Sequence, residues 1–172
     1  NVQEKLFSID KNFLLILIPR HPNRAKQLYR KKQSLSHIIK IRSKNQKINE
    51  KTSIYLADTL GELGLWYKLS KVVFLGGSLI KRGGQNPLEA ARFGCNILHG
   101  PNVSNFSEIF DFLKRNNIST KIFNEKSMSK ELVKLLSTKK NSKLLQRKLE
   151  YIGRKILQNT YKEIHLLYKN EI

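Results

Sequence analysis

This sequence has one cysteine, few carboxylates and only short apolar runs. Its one cysteine, Cys95, excludes an internal disulfide and suits a reducing compartment. The longest apolar run, from Phe13 to Pro19, is about seven residues long, against the roughly 20 that a membrane-spanning helix needs. No apolar segment follows a basic start, so the N-terminus does not resemble a signal peptide. The chain also lacks an initiating methionine, and we expect it to be part of something longer.

The shortage of acidic residues leaves a strong positive charge. Together 33 lysines and arginines stand against 13 aspartates and glutamates, which gives a net charge of +20. A field of this size attracts polyanions such as nucleic acid, acidic lipid headgroups or phosphorylated substrates. A basic nucleic-acid-binding protein is therefore one hypothesis. It is the less favoured one, because aromatic residues are not interleaved with basic ones and no helix-turn-helix or RNA motif is recognisable.

Short apolar segments and polar, capped segments alternate along the chain. The apolar segments predict six strands, at 13–18, 35–41, 53–57, 72–75, 95–98 and 120–123. Helices are predicted at 23–33, 60–70, 86–93, 105–116 and 127–137, and amphipathic helical structure at 141–171 with a break at Gly153. This alternation predicts an α/β fold, a doubly wound parallel sheet with helices on both faces. We expect residues 1–140 to form this Rossmann-like domain and residues 141–172 to form a C-terminal helical extension.

The stretch GGSLIKRGGQNPLE at 76–89 combines two glycine pairs with a helix start. Asparagine at the cap, proline at the first helical position and glutamate at the third are typical of a helix N-terminus. Glycine tolerates positive φ and lets the backbone approach a ligand closely. The sequence contains neither GxGxxG nor a Walker motif, so this stretch by itself supports a nucleotide-like ligand only weakly.

Three predicted loops, at 19–22, 58–62 and 76–89, each follow a strand and precede a helix. Ligands of open α/β sheets bind beyond the carboxyl ends of the strands, so these loops are the candidate site. Helix N-termini there suit a phosphate, and the carboxylates of Glu62 and Glu89 are candidates to accept hydrogen bonds from ribose hydroxyls.

Four segments, in this order, resemble one enzyme family. They are PRHPNR at 19–24, LADTLGELGLWYKLS at 56–70, VVFLGGSLIKRGGQNPLEAARFG at 72–94 and GPNVSNFSEI at 100–109. They are similar to the C-terminal half of the 3-deoxy-D-manno-octulosonic acid (Kdo) transferases of Gram-negative bacteria. The resemblance implies the GT-B fold of two Rossmann-like domains and transfer of Kdo from CMP-Kdo to the lipid A precursor in lipopolysaccharide biosynthesis. It implies no cofactor and no metal.

The resemblance also implies which residues contact CMP. These are Pro19, Arg20, Leu60, Gly61, Glu62, Asn86, Pro87, Leu88 and Glu89, all of the residue types that the family has there. Further possible donor contacts are Gly76, Gly77 and Ser78. On this interpretation the glycines clear space beside the sugar nucleotide and Glu89 holds its ribose. Gln85 and Asn102 stand where the family commonly has histidine, so neither can carry a proton near neutral pH.

The resemblance covers the donor-binding half of the family only. The family's N-terminal domain would supply the acceptor site, the membrane anchor and the glutamate that acts as general base, so no catalytic residue is assigned in this chain. We therefore expect the chain not to turn over alone. The partners implied are CMP-Kdo, the lipid A precursor, an anionic membrane surface and a separately encoded N-terminal half. The location implied is peripheral, at the cytoplasmic face of the inner membrane, and a non-catalytic remnant is the alternative.

The other side chains with potential chemical roles are the histidines, the cysteine and two aromatic residues. His21 lies in a strand-to-helix turn and is either a donor contact or purely structural, and the sequence leaves both open. The residues interpreted as structural are His37, His99, His165, Cys95, Trp66 and Tyr67, because the histidines lack metal-ligand spacing and the others lie in apolar patterns.

Overall fold

The computed structural model describes residues 2–10, 12–33, 38–137 and 142–170. Its helices are α1 (Val2–Ile9), α2 (Ala25–Gln33), α3 (Leu63–Leu69), α4 (Leu88–Arg92), α5 (Ser107–Arg115), α6 (Glu125–Ser137) and α7 (Ser142–Asn170). Its strands are β1 (Leu15–Leu17), β2 (Ile39–Ile41), β3 (Ile54–Leu56), β4 (Val72–Phe74), β5 (Asn96–His99) and β6 (Ser119–Lys121). Every predicted strand overlaps an observed one. His37 and the expected domain boundary at 140–141 lie outside the described residues.

All strand pairings are parallel, which confirms the predicted α/β class. Hydrogen bonds order the strands as β1–β3–β2 in one three-stranded sheet and as β4–β5–β6 in another, rather than as one run of six. Parallel neighbours need a crossover connection. Helices α4 and α5 connect the neighbouring strands β4 to β5 and β5 to β6, and the polar loop 42–53 connects β2 to β3. Helix α2 lies between β1 and β2, and α3 leads from β3 in the first sheet to β4 in the second.

The two central strands are the most deeply buried. Ile54, Tyr55 and Leu56 of β3 are all buried, and so are Ile97 and Leu98 of β5. A strand covered on both faces has no polar side to alternate with, which is why these short runs are apolar without a period of two. The flanking strand β1 is only half-buried along its length.

The hydrophobic core is unevenly divided between the two sheets. Around β4–β6 one cluster joins nine buried residues: Tyr67, Leu75, Ala90, Ala91, Cys95, Ile97, Phe110, Leu113 and Ile118. Around β1–β3 there are two clusters of three, namely Ala25, Ile41 and Leu56, and Tyr55, Ala57 and Trp66. Cys95, Trp66 and Tyr67 are therefore core residues, as predicted.

Helix α1 is an element that the sequence patterns did not predict. It packs against α6, and its Leu6 is buried. The side-chain amide of Gln3 donates a 2.8 Å hydrogen bond to the carbonyl of Ser53, at the entrance to β3. Eight residues are too few for a stable isolated helix in water, so these tertiary contacts stabilise α1.

Helix α7 continues without interruption from Ser142 to Asn170, so the predicted break at Gly153 is wrong. Gly153 has an ordinary negative φ, and the good helix formers around it outweigh its cost of about 1 kcal/mol. The first part of α7 packs on α4, with Leu149 against the larger core cluster. From residue 150 to 168, every side chain that the structure describes is exposed. Within the described residues, no helix has the length and apolar character needed to cross a membrane.

Candidate functional site

Two of the three predicted loops leave neighbouring strands of one sheet. Pro19 and Arg20 follow β1, and residues 60–62 follow β3, which is the hydrogen-bonded partner of β1. Residues 86–89 follow β4, in the other sheet. Parallel strands present their carboxyl ends at a common edge, so the first two loops lie together. No hydrogen bond or ion pair among the described residues connects them to residues 86–89.

Glu62 is held by two side chains of its own sheet. The guanidinium of Arg42 donates from Nε to Oε2 at 2.9 Å and from Nη2 to Oε1 at 2.5 Å, a bidentate pair. The hydroxyl of Thr59 also donates to Oε2. The hydrogen bond from Arg42, with that of Thr59, lowers the pKa of Glu62 to about 2. Glu62 is therefore ionised and fixed in position at neutral pH, and each of its two oxygens already accepts hydrogen bonds from within the protein.

A second polar contact, between Ser43 and Asp58, joins the loop after β2 to the loop after β3. Asp58 accepts hydrogen bonds from the backbone N–H of Ser43 at 2.9 Å and from the Ser43 hydroxyl at 2.7 Å. Arg42 and Ser43 directly follow β2, so the loops after β2 and β3 are joined through Asp58 and Glu62. Neither Arg42 nor Ser43 is among the predicted site residues, because no local motif distinguishes them in the sequence. The available signal was their place at the carboxyl end of a parallel strand.

A cavity of about 400 Å³ adjoins this network. Its lining residues are Arg42, Asn45, Gln46, Lys47, Ile48 and Tyr55. Gln46 is fixed by accepting a 2.9 Å hydrogen bond from the backbone N–H of Ile41. The cavity combines one aromatic ring with amide groups and two cations, a lining that suits a planar polar ligand carrying negative charge.

The helix predicted to start at Asn86 begins two residues later, at Leu88, with Pro87 in the N-cap position. The side-chain carbonyl of Asn86 accepts a 3.0 Å hydrogen bond from the backbone N–H of Leu88 and so satisfies the first N–H of the helix. Pro87 between them is buried and has helical dihedral angles. Glu89 lies exposed in the first turn of α4, where the helix dipole favours its negative charge.

Ser78 is used inside the fold. It is fully buried, and its hydroxyl donates to the carbonyl of Leu75 at 2.6 Å and accepts from the backbone N–H of Gly100 at 2.8 Å. Its carbonyl accepts from the backbone and side-chain amides of Asn102 at 2.9 and 3.3 Å. This geometry leaves the backbone at Gly76 and Gly77, rather than the Ser78 side chain, as the part of this turn that a donor could reach.

The glycines of 76–84 serve different purposes. Gly77, Gly83 and Gly84 have φ near +76°, +75° and +78°, as the sequence predicts for a tight turn. A methyl group at Gly83 would overlap the Asn105 side chain, and one at Gly84 would lie 3.3 Å from Val103. The space beside these two glycines is thus filled by the protein itself. Nothing lies within 4 Å of a methyl group placed at Gly76, and at Gly77 the nearest atom is Arg82 Cβ at 3.9 Å.

Among the histidines that the structure describes, His21 alone belongs to one of the three predicted loops. His21 is exposed and immediately precedes the 3-10 turn that begins at Pro22. His99 is buried, stacks on Phe110 with ring centroids 4.2 Å apart, and donates from Nδ1 to the carbonyl of Gly100. His165 is exposed beside Tyr161 on α7.

Sequence comparisons show which proteins this chain is similar to. No family model matches the chain. It is similar to the 3-deoxy-D-manno-octulosonic acid transferase of Haemophilus influenzae, 44% identical over 104 residues that cover 59% of this chain and 24% of that protein. It is also similar to the enzyme of that name from Rickettsia prowazekii, 34% identical over 152 residues, 87% of this chain and 32% of that protein. The chain thus spans about a quarter to a third of the length of these relatives.

A solved structure has the same fold over most of its length. It is the crystal structure of the C-terminal CMP-Kdo binding domain of WaaA from Acinetobacter baumannii, which matches with a TM-score of 0.79 and 31% sequence identity. The match covers 88% of this chain and 79% of that one. The chain therefore belongs to the 3-deoxy-D-manno-octulosonic acid transferase family and has the fold of the family's C-terminal domain.

Proposed function

We propose that this chain is the donor-binding part of a Kdo transferase and binds CMP-Kdo through its CMP moiety. The observation that carries the proposal is the match to a C-terminal CMP-Kdo binding domain, together with the family's three CMP motifs at the carboxyl ends of parallel strands. A net charge of +20 is compatible with any phosphorylated ligand, but these motifs favour a nucleotide in particular.

The arrangement supports a division of roles among the motif residues. Arg20 is an exposed cation three residues beyond the end of β1 and is suited to the donor phosphate. Glu62 and Glu89 are fixed or helix-stabilised carboxylates and are suited to ribose hydroxyls. Asn86 has a positioning role, since its side chain caps the helix that carries Glu89. Gly61, with φ of +80°, allows the turn that brings Glu62 to the strand edge.

The transfer reaction itself would need groups beyond the donor loops. In the proposed reaction a hydroxyl of the lipid A precursor attacks the Kdo carbon that bears CMP, and CMP leaves. We assign the general base for that hydroxyl to an acceptor domain, because none of the motif carboxylates is free of a donor-binding role. The positive surface would attract both the phosphorylated acceptor and an anionic membrane at the cytoplasmic face of the inner membrane.

The test is calorimetric titration of the purified chain with CMP, beside the Glu89→Ala variant. We expect saturable binding of CMP to the wild type. Glu89→Ala removes a charged hydrogen-bond acceptor, so the affinity for CMP should fall about tenfold or more. Glu108→Ala is the matched control, because Glu108 is also an exposed glutamate in the first turn of a helix, α5.

The control should bind CMP as the wild type does. Absence of binding by a folded wild-type chain would contradict a working donor site here. Equal weakening by Glu89→Ala and Glu108→Ala would mean that the loss of binding is not specific to the Glu89 position. Binding that is specific to Glu89 would justify supplying an acceptor domain and assaying release of CMP.

A further inference from the structure

A second cavity, of about 770 Å³, lies among the loops that follow β4 and β5 and the end of β6. Its lining residues are Lys81, Arg82, Gly83, His99, residues 101–105, Ser107, Phe110, Asp111, Lys114 and Lys121. The volume is within the usual range for a small-molecule site. None of the residues of the three donor motifs lines it, so the inference below does not depend on the proposed function.

The lining of this cavity is strongly basic. Lys81, Arg82, Lys114 and Lys121 are exposed around it, and among the described residues none of the four has a carboxylate oxygen within 4 Å. Asp111 is the single acidic residue of the lining. Unpaired like charges around a concave surface raise the local positive potential, and an anion in the cavity would relieve their mutual repulsion.

His99 supplies a buried polar group to the same cavity. His99 is 2% exposed, and its Nδ1–H donates a 2.7 Å hydrogen bond to the Gly100 carbonyl. Burial, with the charges of Lys121 and Lys114, lowers the pKa of His99 and keeps the ring neutral at neutral pH. Nε2 is then a hydrogen-bond acceptor with no partner among the described residues, which suits a hydroxyl group of a ligand.

We propose that this cavity is a site for a phosphate monoester that also carries hydroxyl groups, such as a sugar phosphate. The four cations hold the phosphate, and His99 Nε2 accepts a hydrogen bond from a hydroxyl. The backbone conformation of Gly83 shapes the wall, since its carbonyl accepts a hydrogen bond from the backbone N–H of Asn105. The same chemistry is present in soluble sugar phosphates and in lipid headgroups.

The test uses NMR titration of the labelled chain at constant ionic strength. Inorganic phosphate and glucose 1-phosphate are the probes, and the readout is the backbone amides of Gly83 and of residues 102–107. Saturable shifts of these amides are expected, with glucose 1-phosphate binding more tightly. The double variant Lys114→Gln/Lys121→Gln should bind about tenfold more weakly, because two charge-assisted contacts are lost.

Lys68→Gln/Lys71→Gln is the matched control, since both lysines are exposed and the change in net charge is the same. The control and Glu89→Ala should leave the shifts unchanged, which separates this site from the three CMP motifs. Shifts spread over the whole basic surface, or an equal effect of both lysine pairs, would overturn the proposal.

The source of the ester is decided by a second arm with vesicles of phosphatidylcholine containing phosphatidylinositol 4-phosphate, whose headgroup has both a phosphate monoester and hydroxyl groups. Cosedimentation that Lys114→Gln/Lys121→Gln abolishes, without saturable binding of glucose 1-phosphate, would assign the site to a headgroup. Saturable binding of glucose 1-phosphate at the 83 and 102–107 amides would assign it to a soluble ester. If neither probe depends on this lysine pair, the cavity has no such ligand.

Discussion

The two sheets of this domain are stabilised in different ways. Around β4–β6, nine buried residues form one continuous cluster, and the loops close on one another through buried groups such as Ser78 and Gly100. Around β1–β3, the buried clusters have three residues each. There the loops are joined by polar contacts, chiefly Arg42 with Glu62.

This difference determines what each donor loop is sensitive to. A loop held by packing responds to changes in volume, since protein interiors are close-packed. A loop held by a partly exposed ion pair responds to pH and salt. The Glu89 loop belongs to the first kind and the Glu62 loop to the second, so one ligand would contact two loops that fail under different conditions.

The largest effect is expected for Gly100→Ala, which attacks the packed half. The added methyl group would overlap the backbone carbonyl of Ser78, and neither backbone segment can move without breaking the hydrogen bonds around Ser78. We expect the free energy of unfolding to fall by about 3–4 kcal/mol, measured by urea denaturation. Gly153→Ala is the matched control, because nothing lies within 4 Å of its added methyl and the exposed helix should gain up to about 1 kcal/mol. A neutral Gly100→Ala would mean that this loop is not closely packed.

A leucine in each half gives a direct comparison of the two cores. Leu113 lies in the large cluster and Leu56 in a small one, and both are essentially inaccessible to solvent. We expect Leu113→Ala to lower the free energy of unfolding by about 3 kcal/mol and Leu56→Ala by about 2 kcal/mol, since a small cluster collapses more readily around a cavity. Urea denaturation of both variants checks this, and equal losses would remove the contrast.

The smallest effect is expected for Glu62→Gln, and it depends on pH. The pKa of Glu62 is lowered from 4.5 to about 2 in the folded chain, chiefly by the hydrogen bond from Arg42. Its contribution to stability is therefore complete above pH 4.5 and is lost as the pH falls through about 2. The difference in unfolding midpoint between wild type and Glu62→Gln should be largest near neutrality and should shrink in acid and in high salt. A difference that stays constant with pH would show that the carboxylate charge is not what matters.

Much of the framework could be predicted because its signals are local. A short apolar run is enough to indicate each buried parallel strand, and Asn86 with Pro87 is enough to indicate the start of α4. The glycines at 77, 83 and 84 likewise indicate positive φ from residue type alone. These elements need no knowledge of what lies across the fold.

The rest depends on contacts between distant residues. Arg42 and Glu62 are 20 residues apart, and nothing in either local pattern shows that they pair. The burial of Ser78 depends on Gly100, and helix α1 depends on α6. At Gly153 the local pattern was misleading. Glycine is typical of a helix break, but the helix continues through it because the residues on both sides are helical.

The exposed part of α7 has a consequence for motion. At 1.5 Å per residue, the 18 residues from Tyr151 to Tyr168 extend for about 27 Å. An isolated helix of this length is only marginally stable in water, whereas the segment near Leu149 is held by the core. Amide hydrogens near Leu149 should therefore exchange on the timescale of global unfolding, and those near Tyr161 on the far shorter timescale of helix fraying. The two ends of one continuous helix are therefore expected to differ in their rate of amide exchange, which is slow near Leu149 and fast near Tyr161.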